Sequence, residues 1–278
     1  MKRVETIEAV AALIKDTLLS DRDAVIAVGG MTGEGKSVCM IKLVKEFLKL
    51  LNKKFSFECM TWEREELLEW VDGARDGETI KYSGQKPEYE ASIADELISM
   101  FYKRNWYEED QKGAVELFNK CRDRHQFVIG GVPSFWDLDG GMLSRFRFYI
   151  YIPYRGVAWV FQQENNPFAS DQWNVTENRK IFRKHKNPYR CLNFVFEFHY
   201  GDLDIQEKKE YYEIRNRKRK NTENQSKKKT VEKYGKIKGQ RDEVLRMAYE
   251  TGQYTIKQIS ERCSLATGHI SEVCNGMR

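Results

Sequence analysis

The chain lacks any uninterrupted apolar run near the roughly 18–20 residues that a membrane-spanning helix needs. Its first twenty residues are broken by Glu5, Glu8, Lys15 and Asp16, and read as neither a signal peptide nor an anchor. Cysteine is sparse and scattered. Cys39, Cys59, Cys121, Cys191, Cys263 and Cys274 form no C-x-x-C pair, and the four histidines do not gather beside them. That pattern argues against a zinc site and a disulfide framework, and makes reduced thiols in a cytosol the expected state. No internal repeat is present. Aromatic residues make up 13% but show no clustering along the chain, so most are expected in cores or interfaces.

What remains is ample for a soluble protein with one large domain and an appendage: 278 residues, 41% hydrophobic and 32% charged. The net charge of +5 is unevenly spread. Residues 205–278 carry 18 Lys and Arg against 10 Asp and Glu, whereas residues 1–204 carry 29 against 32. A near-neutral body with a basic tail is expected to meet a polyanion through that tail.

Apolar spacing predicts a helix over residues 5–19, then a buried strand at Ala24–Val28 running into Gly29-Gly30, then an amphipathic helix from Ser37 to Leu51. Phe55–Met60 reads as a strand and Arg64–Arg75 as a helix. A long helical stretch from Leu97 toward Arg124 follows. Phe127–Ile129, Phe146–Ile152 and Phe194–His199 read as further strands. Strands alternating with helices predict an α/β domain with a mostly parallel central sheet. Residues 1–205 form that domain. Residues 206–238 read as a basic helix and a flexible linker, with 221–230 too poor in apolar residues to pack. Residues 239–278 read as a small all-α unit.

Between the first strand and its helix, Gly30-Met31-Thr32-Gly33-Glu34-Gly35-Lys36-Ser37 fits G-x-x-x-x-G-K-[ST] at every fixed position. Glycines let the backbone curl so that successive N–H groups face phosphate oxygens, and the helix N-terminus adds partial positive charge. Gly30 to Val38 are therefore the nucleotide-binding candidates. Lys36 is expected on the β- and γ-phosphates and Ser37 on Mg²⁺. Asp95-Glu96, after the short run Ala91–Ala94, supplies the expected acid for Mg²⁺ and the expected base for water. Such a pair also suits the first turn of a helix, where acids favour the dipole. Asp137 and Asp139 are the fallback.

The form G-x-T-G-x-G-K-S resembles the phosphate loop of FtsK/HerA-type DNA-translocating ATPases, a group that includes zonular-occludens-toxin-like phage ATPases and viral genome-packaging ATPases. The sequel is similar in order: Asp95-Glu96, a long helix, Arg122-Asp-Arg124 before a strand, a Pro-Ser loop with Leu138-Asp139, and Arg145-Phe-Arg147 entering another strand. The resemblance covers about residues 22–155. It implies a P-loop fold with an added strand, a catalytic Glu96, and a homo-oligomeric ring in which an arginine reaches the neighbour's γ-phosphate. Arg122, Arg124, Arg145 and Arg147 are the candidates, with Arg145 preferred. Two departures stand out. The strand after Phe127 runs into Ser134 where the family often has a polar glutamine sensor. The membrane span of phage-assembly relatives is also missing, which counts against virion extrusion.

In the C-terminal unit, Arg241–Glu250 with Val244, Leu245 and Ala248 inward, a helix capped by Thr255, a turn at Ser264-Leu265-Ala266, and Thr267–Cys274 resemble a helix-turn-helix of bacterial and phage regulators. The usual turn glycine is Ser264. That resemblance implies DNA binding, with Thr267, His269, Ser271 and Glu272 toward the major groove and Lys257 and Arg262 near phosphates. A three-helix protein-binding bundle is the competing reading.

The expectation is thus a cytoplasmic ATP- and Mg²⁺-dependent hydrolase of a prokaryote, or of a virus in its host. It would translocate or remodel DNA for genome packaging or DNA transfer, beside a portal, nuclease or other mobile-element protein. The alternatives are an AAA+-like ATP-gated loader or transposition regulator, a DNA-binding regulator that senses nucleotide without hydrolysing it, and, more weakly, a nucleotide or metabolite kinase.

Overall fold

The computed structural model describes residues 3–20, 22, 24–64, 66, 67, 70, 90–97, 101, 125–138, 140–165 and 171–275, with 221–234, 236 and 237 described by backbone alone. Two compact units, Met1–Asn216 and Arg217–Arg278, divide it.

Among the described residues of the first unit, eight strands form one sheet. They are β1 (Val4–Glu5), β2 (Ala24–Gly30), β3 (Met60–Thr61), β4 (Ala91–Ala94), β5 (Phe127–Val132), β6 (Phe146–Tyr154), β7 (Val157–Gln162) and β8 (Phe194–His199). Their order is β1-β8-β7-β6-β2-β5-β4-β3. From β6 to β3 every pairing is parallel. The β6–β7 hairpin and the β7–β8 pairing are antiparallel, and β1 then pairs parallel with β8. The fold is α/β with a mostly parallel sheet, as composition and alternation predicted.

Strand β2 is buried at all seven positions, which is why its sequence is a continuous apolar run rather than an alternating one. Helices α1 (Ile7–Leu19) and α2 (Lys36–Lys49) cover one face. Thr6 caps α1 by accepting from Ala9 N at 3.2 Å, and Val10, Ile14 and Leu18 turn inward. From α2, Met40, Val44 and Phe47 join Ile26, Val28, Ile150 and Ile152 in the larger core. A second core on the other face gathers Val25, Ala27, Val128, Phe135, Phe146 and Trp173.

Several expectations change. The strand read over Phe55–Met60 is a 3₁₀ turn at Phe57–Cys59 followed by the two-residue β3. Phe55, Phe57 and Cys59 alternate with polar residues as in a strand, but the Ser56 hydroxyl accepts from Glu58 N at 3.3 Å and closes a turn instead. Strand β7 and a helix α3 (Val175–His185) are elements that the sequence reading does not include. Most of the helices read over Arg64–Arg75 and from Leu97 to Arg124 lies outside the described residues.

The expected linker at 221–230 is helical, within α4 (Ile205–Glu250). That stretch contains no proline or glycine to break a helix. With no apolar residues it has no period either, so a solvated helix and a linker look alike in sequence. In the second unit, Leu245 of α4 packs with Ile259 of α5 (Ile256–Cys263) and Ile270 of α6 (Thr267–Asn275). Val244, expected inward, is 64% exposed. No described helix is long and apolar enough to cross a membrane.

Candidate functional site

The phosphate-loop motif joins β2 to α2 at the centre of the sheet. Gly30, Gly33 and Gly35 have φ of 145°, 91° and 91°, a region that L side chains rarely adopt. A Cβ at Gly30 would also stand 2.8 Å from the Ile152 carbonyl oxygen of the adjacent strand. The loop thus depends on glycine for conformation and for space. Met31 at its outer edge is 73% exposed. Lys36 curls back over the loop, and its Nζ donates to the carbonyls of Gly30 at 2.8 Å and Met31 at 3.0 Å. Burial holds the ammonium below the usual lysine value, while Asp95 and Glu34 pull the other way. A cation so placed, beside the N-terminus of α2, suits an anion over the loop.

Strand β5 stands between β2 and β4, so one added strand separates the loop from the acid pair. Asp95 follows β4 directly. The Ser37 hydroxyl donates to its Oδ1 at 2.5 Å, and Trp62 Nε1 donates to its Oδ2 at 3.1 Å. Two side chains 58 residues apart, each a candidate Mg²⁺ ligand, are thereby in contact. Mg²⁺ is usually held by one or two such oxygens together with phosphate and water, and this pair fits that donor set. Glu96, the next residue, is exposed.

The sequence reading missed the residues that close the site from behind. Tyr200, just after β8, donates toward the carbonyls of Glu34 and Gly35, each at 3.4 Å. Tyr211 of α4 lies near Ser37 and Asp95. Glu207, one turn earlier, pairs with Lys42 and Lys45 of α2. Burial raises both tyrosine hydroxyls, so they remain protonated donors at neutral pH. No spacing signal could have tied these residues to a loop some 160 positions away.

Of the arginines, Arg122 and Arg124 lie outside the described residues. Arg145 is half-buried immediately before β6. Arg147 lies within β6, its guanidinium 5.9 Å from the Phe148 ring, and burial with Arg22 nearby lowers its pKa. Ser134 is half-buried between β5 and a 3₁₀ turn, Phe135–Asp137, that contains Asp137. Asp139 lies outside the described residues.

In the second unit, Thr255 and Gln258 form a capping box at the start of α5. Ser264 takes the left-handed turn conformation at φ 54° where glycine is usual. Ser260 Oγ donates to Leu265 O at 2.5 Å and stands 3.1 Å from Thr267 Oγ1, holding the turn. Lys257, Thr267 and Glu272 are exposed. Ser271 is half-buried and accepts from Asn275 Nδ2 at 3.2 Å. His269 turns toward α4, where the Arg241 guanidinium donates to its Nε2 at 2.7 Å. The Arg262 guanidinium lies 4.9 Å over the Tyr254 ring.

No protein-family model matches the chain, and no curated protein does. Among solved structures, a chain of the E. coli MS115-1 HORMA:CdnC:Trip13 complex is similar at 13% identity with a TM-score of 0.31, over 53% of this chain and 52% of that one. This chain thus spans about half the length of that relative. The N-terminal domain of zonular occludens toxin from Neisseria meningitidis is similar at 13% identity with a TM-score of 0.36, over 66% of this chain and 96% of that one. Strand order, the glycine-bounded loop and the Ser37–Asp95 contact make the first unit an α/β fold of the P-loop kind.

Proposed function

We propose that this chain is a Mg²⁺-dependent ATPase that translocates or remodels DNA, as a genome-packaging or DNA-transfer motor of a phage or other mobile element. The observation that carries the nucleotide half is the Ser37–Asp95 hydrogen bond at 2.5 Å, which sets the loop hydroxyl against the acid at the end of β4. The DNA half rests on the excess of basic over acidic residues in 205–278 and on the capped, turn-linked helices α5 and α6.

In this reading the amides of Gly30 to Val38 bind the phosphates, and Lys36 exchanges its two carbonyl partners for β- and γ-oxygens. Ser37 and Asp95 are the side chains that would hold Mg²⁺, and the metal when bound neutralises charge on the transferring phosphate. Glu96 orients water and accepts its proton. Arg145 from a neighbouring subunit would complete the site in a ring. Lys257, Thr267, His269 and Ser271 are the proposed DNA contacts.

The test is Glu96→Gln in the full chain. The substitution is isosteric at an exposed position, so folding is expected to change by no more than about 0.5 kcal/mol. Binding of fluorescent ATP should persist while phosphate release falls about 10²–10⁴-fold, the usual contribution of a general base. Unchanged hydrolysis would remove Glu96 from the chemistry. Vigorous DNA-stimulated turnover without displacement of a DNA-bound roadblock would favour the loader over the motor.

A further inference from the structure

The hairpin β6–β7 places Tyr149 opposite Phe161 and Tyr151 opposite Trp159. Residues two apart on a strand share a face, so these four rings form one uneven aromatic plate, with the Tyr151 ring turned 57° from that of Tyr149 and one face of Tyr149 covered by Phe135 at 4.4 Å. The Tyr149 and Phe161 rings are near-parallel at 6.1 Å and 28°, and those of Tyr151 and Trp159 are tilted at 5.8 Å and 33°. Trp136 and Trp173 stand edge-on beside them at 6.4 Å from each other. The plate forms part of the lining of a cavity of 380 Å³, within the range of small-ligand sites. The sequence showed no aromatic cluster; strand register creates it.

The other wall is α3. Arg179, Phe182 and Arg183, three and four residues apart and so on one helix face, line the same cavity. All three are exposed, Phe182 by 39%. No residue of α3 is buried, and its second half is basic, with Lys180, Lys184 and His185 beside the two arginines. The cavity is held in shape from behind. The buried Asn193 amide donates to the carbonyls of Gln162 at 2.8 Å and Gln172 at 3.0 Å and accepts from Asn178 at 2.8 Å. Trp159 Nε1 donates to Glu197 at 3.1 Å. Both lining asparagines are thereby committed to the protein itself.

We infer that this cavity takes unstacked bases of a single-stranded nucleic acid, with Arg179 and Arg183 on the adjoining phosphates. Aromatic faces bind any base by stacking, and cations along the rim track the backbone. A base paired within a duplex offers no free face to such a plate. An apolar peptide would match the rings but not the basic rim. With Asn178 and Asn193 already bonded, recognition rests chiefly on stacking, with the buried Trp173 Nε1, which has no partner among the described residues, as a lining donor. The inference deepens the reading that the chain works on DNA by naming the strandedness and the place of contact.

Its test needs no hydrolysis. Full-length protein without nucleotide is titrated with a short fluorescein-labelled oligothymidylate, with the same strand annealed to oligoadenylate, and with thymidine monophosphate. The single strand is expected to bind and to quench tryptophan emission, all of which comes from the first unit, whereas duplex held by α5 and α6 should leave that emission unchanged. Arg179→Glu combined with Arg183→Glu changes only exposed side chains. It should weaken binding and lower the salt slope by about 0.7 for each phosphate that is no longer neutralised. Tyr151→Ala, with its fold checked by circular dichroism, should weaken binding about ten-fold. Lys36→Ala should leave this binding intact, which separates it from the nucleotide site. The inference is overturned if both cavity variants bind as the wild type does, if only duplex binds, or if the mononucleotide binds as tightly as the oligomer. Loss of ATP hydrolysis alone would count against the proposed motor and not against this site.

Discussion

Gly29, the residue before the phosphate loop, offers a sharp test of the packing that joins the loop to the aromatic face. A Cβ there would lie 2.3 Å from Tyr149 Oη, 2.7 Å from Cε2 and 2.9 Å from Cζ. The tyrosine has little room to retreat: it stacks on Phe135 at 4.4 Å and 10° and faces Phe161 at 6.1 Å. Gly29→Ala should therefore cost about 2–3 kcal/mol, the upper part of the range for overpacking a filled core. All six tryptophans precede residue 174, so their emission reports unfolding of the first unit. With a urea slope of about 2 kcal/mol per M, the midpoint should fall by about 1 M or slightly more. Adding Tyr149→Phe removes the 2.3 Å contact but leaves the two ring contacts. That double variant should recover only part of the stability. A Gly29→Ala protein within about 0.5 kcal/mol of the wild type would refute the claim that this glycine is required for close approach.

Two further outcomes are expected. Asn193→Ala removes a buried amide that bonds to Asn174, Asn178 and the carbonyls of Gln162 and Gln172. It should cost about 1–3 kcal/mol, through the lost bonds to those carbonyls and a broken clamp, seen as a fall in urea midpoint together with weaker oligothymidylate binding; the Gln172 carbonyl keeps its bond from Glu164 N at 2.8 Å. Asp202 is held at a pKa of about 2, chiefly by its hydrogen bond to Lys208 and then by Arg155. Its folded value lies below the unfolded one, near 3.9. Its contribution is therefore complete above about pH 4 and lost as pH falls toward 2. Because these ion pairs are exposed, the effect is small, and an acid-unfolding curve of Asp202→Asn should differ from wild type above about pH 4 and converge with it as pH falls toward 2.

The nucleotide site was more legible than the surface around it, for physical reasons. Phosphate recognition by backbone amides needs glycines at fixed offsets and a strand and helix on either side, all of which are local in sequence. Asp95 was readable because it ends a four-residue apolar strand, although its contact with Ser37 spans the sheet. Tyr200 reaches the loop from the end of β8 and Glu207 reaches α2 from the first turn of α4, and no periodicity encodes that return. Strand β7 carried a usable signal in the turn Arg155-Gly156 followed by Val157-Ala-Trp-Val-Phe. Reading it would have aligned Tyr149 and Tyr151 with Phe161 and Trp159 and exposed the aromatic plate. Helix α3 lacks an apolar stripe, since it buries nothing, and so left no core signature.

The most direct measurement is phosphate release by purified full-length protein with ATP and magnesium, in the presence and absence of single- and double-stranded DNA. The account predicts turnover that needs magnesium, rises when DNA is added and disappears in Lys36→Ala. No phosphate release under any of these conditions, from protein whose fold is verified, would contradict it.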